Sequence, residues 1–483
     1  MPQLQCQNID KVGTIDYDNL DTIFTGLDFS YKEEDADYLS FTLLGCWNSY
    51  CSNVLKGSFA DSSSQRLTSK LLQSTKTDLN AKYLITAGDN YYDDPLGRDI
   101  TSKQSIDTGF ACFDDIMNIP MFLSMGNHDV KNESVLREQI KKTHDGLTVA
   151  DNNVTFLSNW ILPSSYYHLS HSINGAVVDF IFMDTNLVAD KYYFDDSIHA
   201  DDTFKKDQVD IMMRWFTEKL KTCIGIKCVI GHHPIFSVGH KNKKPIRREK
   251  TLESMYKIMI ENEVHFYFCA DEHNTQYLYD DDNDIHHIVS GGTGAGSGAD
   301  NAYVHQTNTP DFHRPNRPIA IQTEKPAFRI RSVFTFSGPS IVNFKITASN
   351  IKFDVIGVSE NIVKNEAISI NGLCARNYDD SVKLDSIKRN EPYAHHKIYF
   401  TKTIPREHDL LFLLKCDAYT KKLNSTNLEE VVSTLRTNKI KLGYTNESLE
   451  IVLDDLDEQI NAYKTQYKAM NILKMNEEGI EVD

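Results

Sequence analysis

Asp89 and Tyr92 stand three residues apart just past the apolar run 83–87, and so offer a carboxylate and a phenol to one cation. Asn127 with His128, His232, and Asp271 with His273 hold similar places after three other apolar runs, and Cys46 adds a thiol after a fifth. These are oxygen, imidazole and sulfur donors of the kinds transition-metal ions take. Hydrolysing a phosphate ester near neutral pH calls for a nucleophilic oxygen and for positive charge against the phosphoryl group. Two metals about 3.5–4 Å apart supply both, and a bridging carboxylate is the natural spacer. Asp89 suits that role, because Gly88 before it has no side chain and lets metal and substrate approach the backbone. Tyr92 serves as a phenolate ligand if the cation is strongly acidic, while Asn127, His232 and His273 supply neutral oxygen and imidazole ligands.

Short β-rich runs must position these groups. Residues 41–44 end in Gly45-Cys46-Trp47-Asn48, residues 83–87 in Gly88-Asp89-Asn90-Tyr91-Tyr92, and residues 120–125 in Gly126-Asn127-His128-Asp129. Residues 227–230 end in Gly231-His232-His233-Pro234, and residues 264–269 in Ala270-Asp271-Glu272-His273. Helical patterns alternate with them, as over 209–221, where Ile211, Met212, Trp215, Phe216 and Leu220 recur at helical spacing. The class is therefore α/β. Residues 1–37 are polar and acidic and read as an N-terminal arm. The catalytic domain spans 38–358, closed by a meander over 331–358 that is expected to supply antiparallel edge strands.

Residues 359–483 form a C-terminal extension rich in Lys, Asn and Glu, expected to be mainly helical. Its strongest element is a helix over about 447–475, capped by Asn446. Leu449, Leu453, Leu456, Ile460, Tyr463, Tyr467 and Met470 trace a heptad seam on it. That stripe packs on the chain's own catalytic domain or forms a coiled-coil contact with a protein partner or a second copy.

The 483 residues carry a formal charge of −17, which argues against long nucleic acids and anionic membranes as partners. No apolar run approaches the roughly 20 residues of a transmembrane span. The locally basic stretch 241–250 is a solvated loop or a collar that attracts phosphorylated substrates. Gly291 to Gly298 lacks the lysine of a nucleotide-binding loop and reads as a flexible connection. The opening residues lack the basic start and apolar stretch of a secretory signal, and nine dispersed cysteines do not pair into a framework; both favour an intracellular chain. Four glycosylation sequons, at Asn132, Asn153, Asn424 and Asn446, pull the other way and leave the compartment open. The adjacent pairs His286-His287 and His395-His396 read as surface histidines.

The blocks quoted above resemble those of the small, mammalian-type purple acid phosphatases in the calcineurin-like metallophosphoesterase superfamily. So do residues 160–167, Phe182-Met183-Asp184-Thr185-Asn186 and Gln276-Tyr277-Leu278. The resemblance covers about 38–358 and implies a four-layer αββα sandwich holding a dinuclear centre of Fe with Zn, Mn or a second Fe. It implies that the Asp89 position bridges, that the Tyr92 position gives the tyrosinate-to-iron colour, and that Asn127 and His232 bind the second metal. The His273 position binds the first metal, and the His128 position contacts substrate. His240, eight residues after His232, stands one residue closer than the usual pair and is assigned to the substrate or leaving group as a general acid.

Two ligand positions depart from that pattern. Cys46 stands where the family has an aspartate ligand of the iron, and Asp271 where it has a histidine ligand of the second metal. A thiolate favours softer ions such as Zn(II), and with Asp271 the set carries one more negative charge than the family's, which weakens attraction for a phosphate dianion. Three states stay open: a modified working centre, one retained metal, or a centre that binds none. The leading expectation is a phosphomonoesterase acting on a small phosphorylated substrate by attack of a metal-bound hydroxide. The alternatives are a catalytically silent scaffold or structural subunit, and a phosphodiester or small-nucleotide hydrolase.

Overall fold

The computed structural model describes residues 3–48, 71–72, 79–92, 119–189, 202–237, 249–293, 317–318, 330–358 and 396–405, apart from short breaks within the longer runs. Two sheets share the described strands. The chain opens the first sheet with β1 (Gln3–Cys6) and β2 (Gly26–Lys32), then enters the second with β3 (Tyr38–Leu44), β4 (Tyr83–Thr86) and β5 (Met121–Leu123). It returns to the first for β6 (Thr148–Ala150) and β7 (Asn153–Thr155), and gives β8 (Trp160–Ile161) to the second. The first sheet continues with β9 (Tyr166–Ile173), β10 (Ala176–Phe182), β11 (Ile226–Ile230), β12 (Phe266–Cys269) and β13 (Thr275–Asp280). It ends with β14 (Ile285–Ser290), β15 (Arg317–Pro318) and β16 (Ile330–Phe336). The second sheet closes with β17 (Ser340–Thr347), β18 (Asn350–Val358) and β19 (His396–Pro405).

In the second sheet β3, β4, β5 and β8 run parallel, and in the first so do β10, β11, β12 and β14. Parallel strands buried on both faces need continuous apolar runs, which these supply: every residue of β4, β5, β10, β12 and β14 is buried. The sheets meet across an aromatic interlayer. Phe41 of β3 lies edge-on to Phe180 of β10 at 5.0 Å and stacks on Phe344 of β17 at 4.9 Å, while Phe268 of β12 approaches Phe344 at 5.0 Å.

Helices cover the outer faces and complete the αββα sandwich. The helix Asp202–Thr222 lays Met212, Phe216 and Leu220 on the first sheet, a stripe of period four, with Trp215 against Tyr166 at 4.9 Å. The helix Glu249–Glu261 buries Leu252, Met255, Tyr256 and Met259 beside it. On the second sheet the helix Glu133–His144 is tied to the end of β8, where Trp160 Nε1 donates to the Gln139 carbonyl and the Leu162 amide to Thr143 Oγ1. None of the described helices is long and apolar enough to cross a membrane.

Four expectations change. The first 37 residues are no free arm: β2 pairs in parallel with β9, and Leu4, Leu27 and Phe29 are core residues. The alternation Leu27-Asp28-Phe29-Ser30-Tyr31 carries that strand, and its acidic neighbours mask it. The 331–358 segment does not form one meander, because β16 pairs with β13 in the first sheet while β17 and β18 form a hairpin in the second. β17 is buried along most of both faces and sits between β3 and β18, an interior place rather than an edge. β19, inside the expected C-terminal extension, pairs with β18. The rest of that extension, including the heptad seam and Asn446, lies outside the described residues. Lastly, His286 and His287 are not at the surface: β14 lies between β12 and β13, and both rings are buried. His395 lies outside the described residues.

Candidate metal centre

The C-terminal ends of β3, β4 and β5 in the second sheet and of β11 and β12 in the first carry the loops that converge from both sheets. Cys46 follows β3, Asp89 follows β4, and Asp271 follows β12. Each adopts a left-handed backbone, with φ of 52°, 56° and 59°. For a residue with a Cβ this conformation costs of order 1–3 kcal/mol and persists only where the surroundings impose it. Here the strand ends impose it: the Cys46 amide donates to the Gly88 carbonyl at 2.9 Å, and the Ala270 amide to the His232 carbonyl at 2.9 Å. Gly88 has φ of 85°, and a Cβ on it would meet the Gly126 nitrogen at 2.6 Å and His232 Nδ1 at 2.7 Å. A Cβ on Gly126 would meet the Asp89 nitrogen at 2.2 Å. Two backbones and an imidazole pack where side chains would stand.

The result is a buried cluster of donors. The ligating atoms of Cys46, Asp89 and His232 all lie within 4.8 Å of one another. His232 Nε2 is 3.3 Å from Asp89 Oδ1, 3.1 Å from Asn127 Oδ1 and 3.8 Å from Asp271 Oδ1. Its Nδ1 lies 2.7 Å from the Ala87 carbonyl, which only a proton donor can satisfy, so the Nε2 lone pair faces the cluster in the neutral ring. Tyr92 Oη donates to Asp89 Oδ2 at 2.7 Å, and the His128 amide donates to Asp89 Oδ1 at 3.1 Å. The His128 ring lies 4.3 Å from that of Tyr92, with Lys131 Nζ 3.3 Å from its Nδ1.

Burial alone would push Asp89 upward, but the histidines His232 and His128 and the Tyr92 hydroxyl outweigh it and hold the carboxyl at about 2. Burial, then the charges of Asp89 and Asp271, push the Cys46 thiol well up, and burial with Asp89 and Cys46 does the same to Tyr92. The protein without a cation therefore keeps both protons. A bound cation reverses that logic, since its own charge is the largest in such a site. The donor set fits the group: a tautomer-fixed imidazole, an ionised carboxylate, an amide oxygen, a phenol, a second carboxylate and a thiol face one volume. Oxygen, nitrogen and sulfur together suit Zn(II) and its borderline neighbours better than a hard ferric ion.

The loops are held by residues that sequence reading noticed only as signatures, or not at all. Thr185 Oγ1 accepts from the His232 amide at 2.9 Å and contacts His233 Nδ1 at 3.0 Å, while Asn186 Nδ2 donates to the Gly126 carbonyl at 3.3 Å. Asp129 Oδ2 accepts from the Gly126 amide at 2.6 Å, and Oδ1 from the Asn90 amide at 2.9 Å. Asn90 Nδ2 reaches the Ser124 carbonyl at 2.7 Å, locking the β4 loop to the β5 loop. The Asn90 and Asp129 side chains sit beside proposed ligands in sequence, which is the signal that marks them.

Of the expected site residues, Cys46, Asp89, Tyr92, Asn127, His232 and Asp271 come together, with His128 alongside. His273 is half-buried on the same loop as Asp271, two residues on. His240, the basic stretch through residue 248 and residues 294–298 of the glycine-rich segment lie outside the described residues.

The calcineurin-like phosphoesterase family matches residues 40–275. Purple acid phosphatase 3 of Arabidopsis thaliana is 29% identical over 245 residues, covering 47% of this chain and 58% of that protein. The match thus spans little more than half the plant relative. Tartrate-resistant acid phosphatase type 5 of Rattus norvegicus is 25% identical over 284 residues, 57% of this chain and 78% of that one. Among solved structures, GAP50, the anchor in the inner membrane complex of Plasmodium, aligns with a TM-score of 0.43 at 18% identity over 67% of this chain and 85% of that chain, a likeness too slight to argue from. Homologues of this kind imply a dinuclear metal centre. Over residues 40–275 the chain thus matches the calcineurin-like phosphoesterase family, and the relatives it is similar to include purple acid phosphatases.

Proposed function

We propose that the chain is a metal-dependent phosphomonoesterase that acts on small phosphorylated substrates. The observation that carries this reading is the convergence of Asp89, Asn127, His232, Asp271 and Cys46 from the ends of strands in both sheets. Bound cations would supply Lewis acidity, lowering the pKa of a water and neutralising phosphoryl charge. Asp89, oriented by the Tyr92 hydroxyl and the His128 amide, would hold them. His232 is held in one tautomer by the Ala87 carbonyl, so that Nε2 is the binding atom. The His128 side chain, beside Tyr92 and Lys131, would meet phosphoryl oxygen at the rim.

A second reading, a catalytically silent phosphatase fold kept as a scaffold, draws on Cys46 and Asp271. A thiol that burial and two carboxylates hold protonated is a reluctant ligand, and Asp271 adds negative charge where a phosphate dianion must approach. Release of inorganic phosphate from p-nitrophenyl phosphate separates the two. The full chain supplied with Zn(II), Mn(II) or Fe is expected to hydrolyse it and the His232→Ala chain to lose at least about a hundredfold in rate. Equal rates in both, or none in either, would favour the scaffold.

A further inference from the structure

On the face of the first sheet turned away from the aromatic interlayer lies a second cluster that the Asp89 site does not use. Phe180 points into the interlayer, so Asp179 beside it on β10 points outward, beneath the helix Asp202–Thr222. Asp28 of β2 is the register partner of His168 on β9, and Asp179 pairs with Ser170, one step along the same face. His168 Nε2 is 3.0 Å from Asp179 Oδ1, and Cys223 Sγ, one residue past the helix, is 3.7 Å from the same nitrogen. The three donor atoms lie within 4.8 Å of one another, and all three residues are buried. Behind the ring, His168 Nδ1 is 3.5 Å from Asp28 Oδ1, which in turn meets Lys219 Nζ at 2.5 Å. The Gly225 amide donates to Asp179 Oδ2 at 2.9 Å and leaves Oδ1 facing the ring.

We propose that His168 Nε2, Asp179 Oδ1 and Cys223 Sγ form a Zn(II) site, with water in the fourth position, that pins the end of the helix Asp202–Thr222 to β9 and β10. Tetrahedral zinc with sulfur at about 2.3 Å and nitrogen at about 2.0 Å places the two donors roughly 3.5 Å apart, close to the spacing observed. The Asp28 carboxylate behind Nδ1 is the partner that orients a zinc-bound imidazole and raises its basicity.

Formal charge allows the site. Zn(II) is held by a neutral His168 ring, the Asp179 carboxylate and the Cys223 thiolate, whose proton leaves to solvent. The two carboxylates of Asp28 and Asp179 and the thiolate then balance Lys219 and the metal, so the buried pocket carries no net charge.

The test uses a full chain carrying Asp89→Ala and His232→Ala, which removes the other cluster, so the result stands whatever the phosphatase reading's fate. After loading with zinc and dialysis, elemental mass spectrometry is expected to find one equivalent per chain, lost on adding Cys223→Ser. Substitution by Co(II) is expected to give a near-ultraviolet thiolate band that the same change abolishes. No retained zinc, or zinc unaffected by Cys223→Ser, would overturn the site and leave a hydrogen-bonded ion-pair cluster only. Should those variants fail to fold, zinc K-edge absorption of the Cys46→Ser chain replaces them. One sulfur scatterer at about 2.3 Å is then expected, and its absence overturns the proposal.

Discussion

Tyr92 Oη donates to Asp89 Oδ2 at 2.7 Å, so a cation that takes both residues as anionic ligands must first displace the proton between them. Cys46 holds a second proton, raised by burial and by Asp89 and Asp271. Metal uptake at this cluster therefore releases protons, and affinity rises with pH by roughly tenfold per unit for each proton lost. Zinc titration calorimetry in buffers of different ionisation enthalpy measures that number. It is expected to fall by about one in Tyr92→Phe, and a pH-independent affinity would contradict the assignment.

Cys46 and Asp271 are the two positions at which the cluster departs from the ligand set that the resemblance to purple acid phosphatases implies. Replacing both, Cys46→Asp with Asp271→His, restores an oxygen ligand and removes one negative charge facing the substrate. Phosphatase turnover is expected to rise by about tenfold or more, equivalent to about 1.4 kcal/mol or more of the barrier. No gain in the doubly substituted chain would mean that these two residues do not limit it.

Gly126 touches the Asp89 backbone so closely that a methyl there has no room. Gly126→Ala is expected to cost about 1–3 kcal/mol of stability by overpacking, and to displace Asp89 enough to abolish metal uptake at the cluster. Chemical denaturation gives the first quantity and zinc titration the second. Unchanged zinc affinity would show that Asp89 is not held by this contact.

Three buried histidines set an acid limit on the fold. Burial holds His287 at about 3; burial first, aided by Lys402, holds His286 at about 3; and burial holds His171 at about 4 despite Glu33. In the unfolded chain each titrates near 6.5. Because the unfolded state binds more protons between those values, their contribution is fully present above about pH 6.5 and is lost as pH falls toward 3. His287→Phe keeps a ring against Phe236 and Tyr256 and removes one of these titrations. Denaturation midpoints from pH 7 to pH 4 are expected to fall less steeply in that variant, and an identical slope would contradict the account.

How much was legible depends on how far apart the partners lie. Each ligand ending could be read because strand, small residue and donor are contiguous, as in residues 83–92, and because five such endings, four with glycine and one with Ala270, share one form. β2 was hidden because its alternation spans few residues within an acidic stretch, and only its pairing with β9 makes it core. The placement of His286 and His287 depends on β14 being an inner strand, a property of sheet order rather than of local sequence. The cluster of His168, Asp179 and Cys223 was illegible for the same reason. Its members belong to two strands and a helix end, with no common motif, and meet only through register and helix docking.

The most direct test of the central claim is the anomalous scattering of crystals grown with Zn(II) or Mn(II). The account predicts density for bound metal within bonding distance of both Asp89 and His232 Nε2, at the ends of β4 and β11. Crystals that bind metal elsewhere, or not at all, while Asp89 keeps its hydrogen bond from Tyr92, would contradict it.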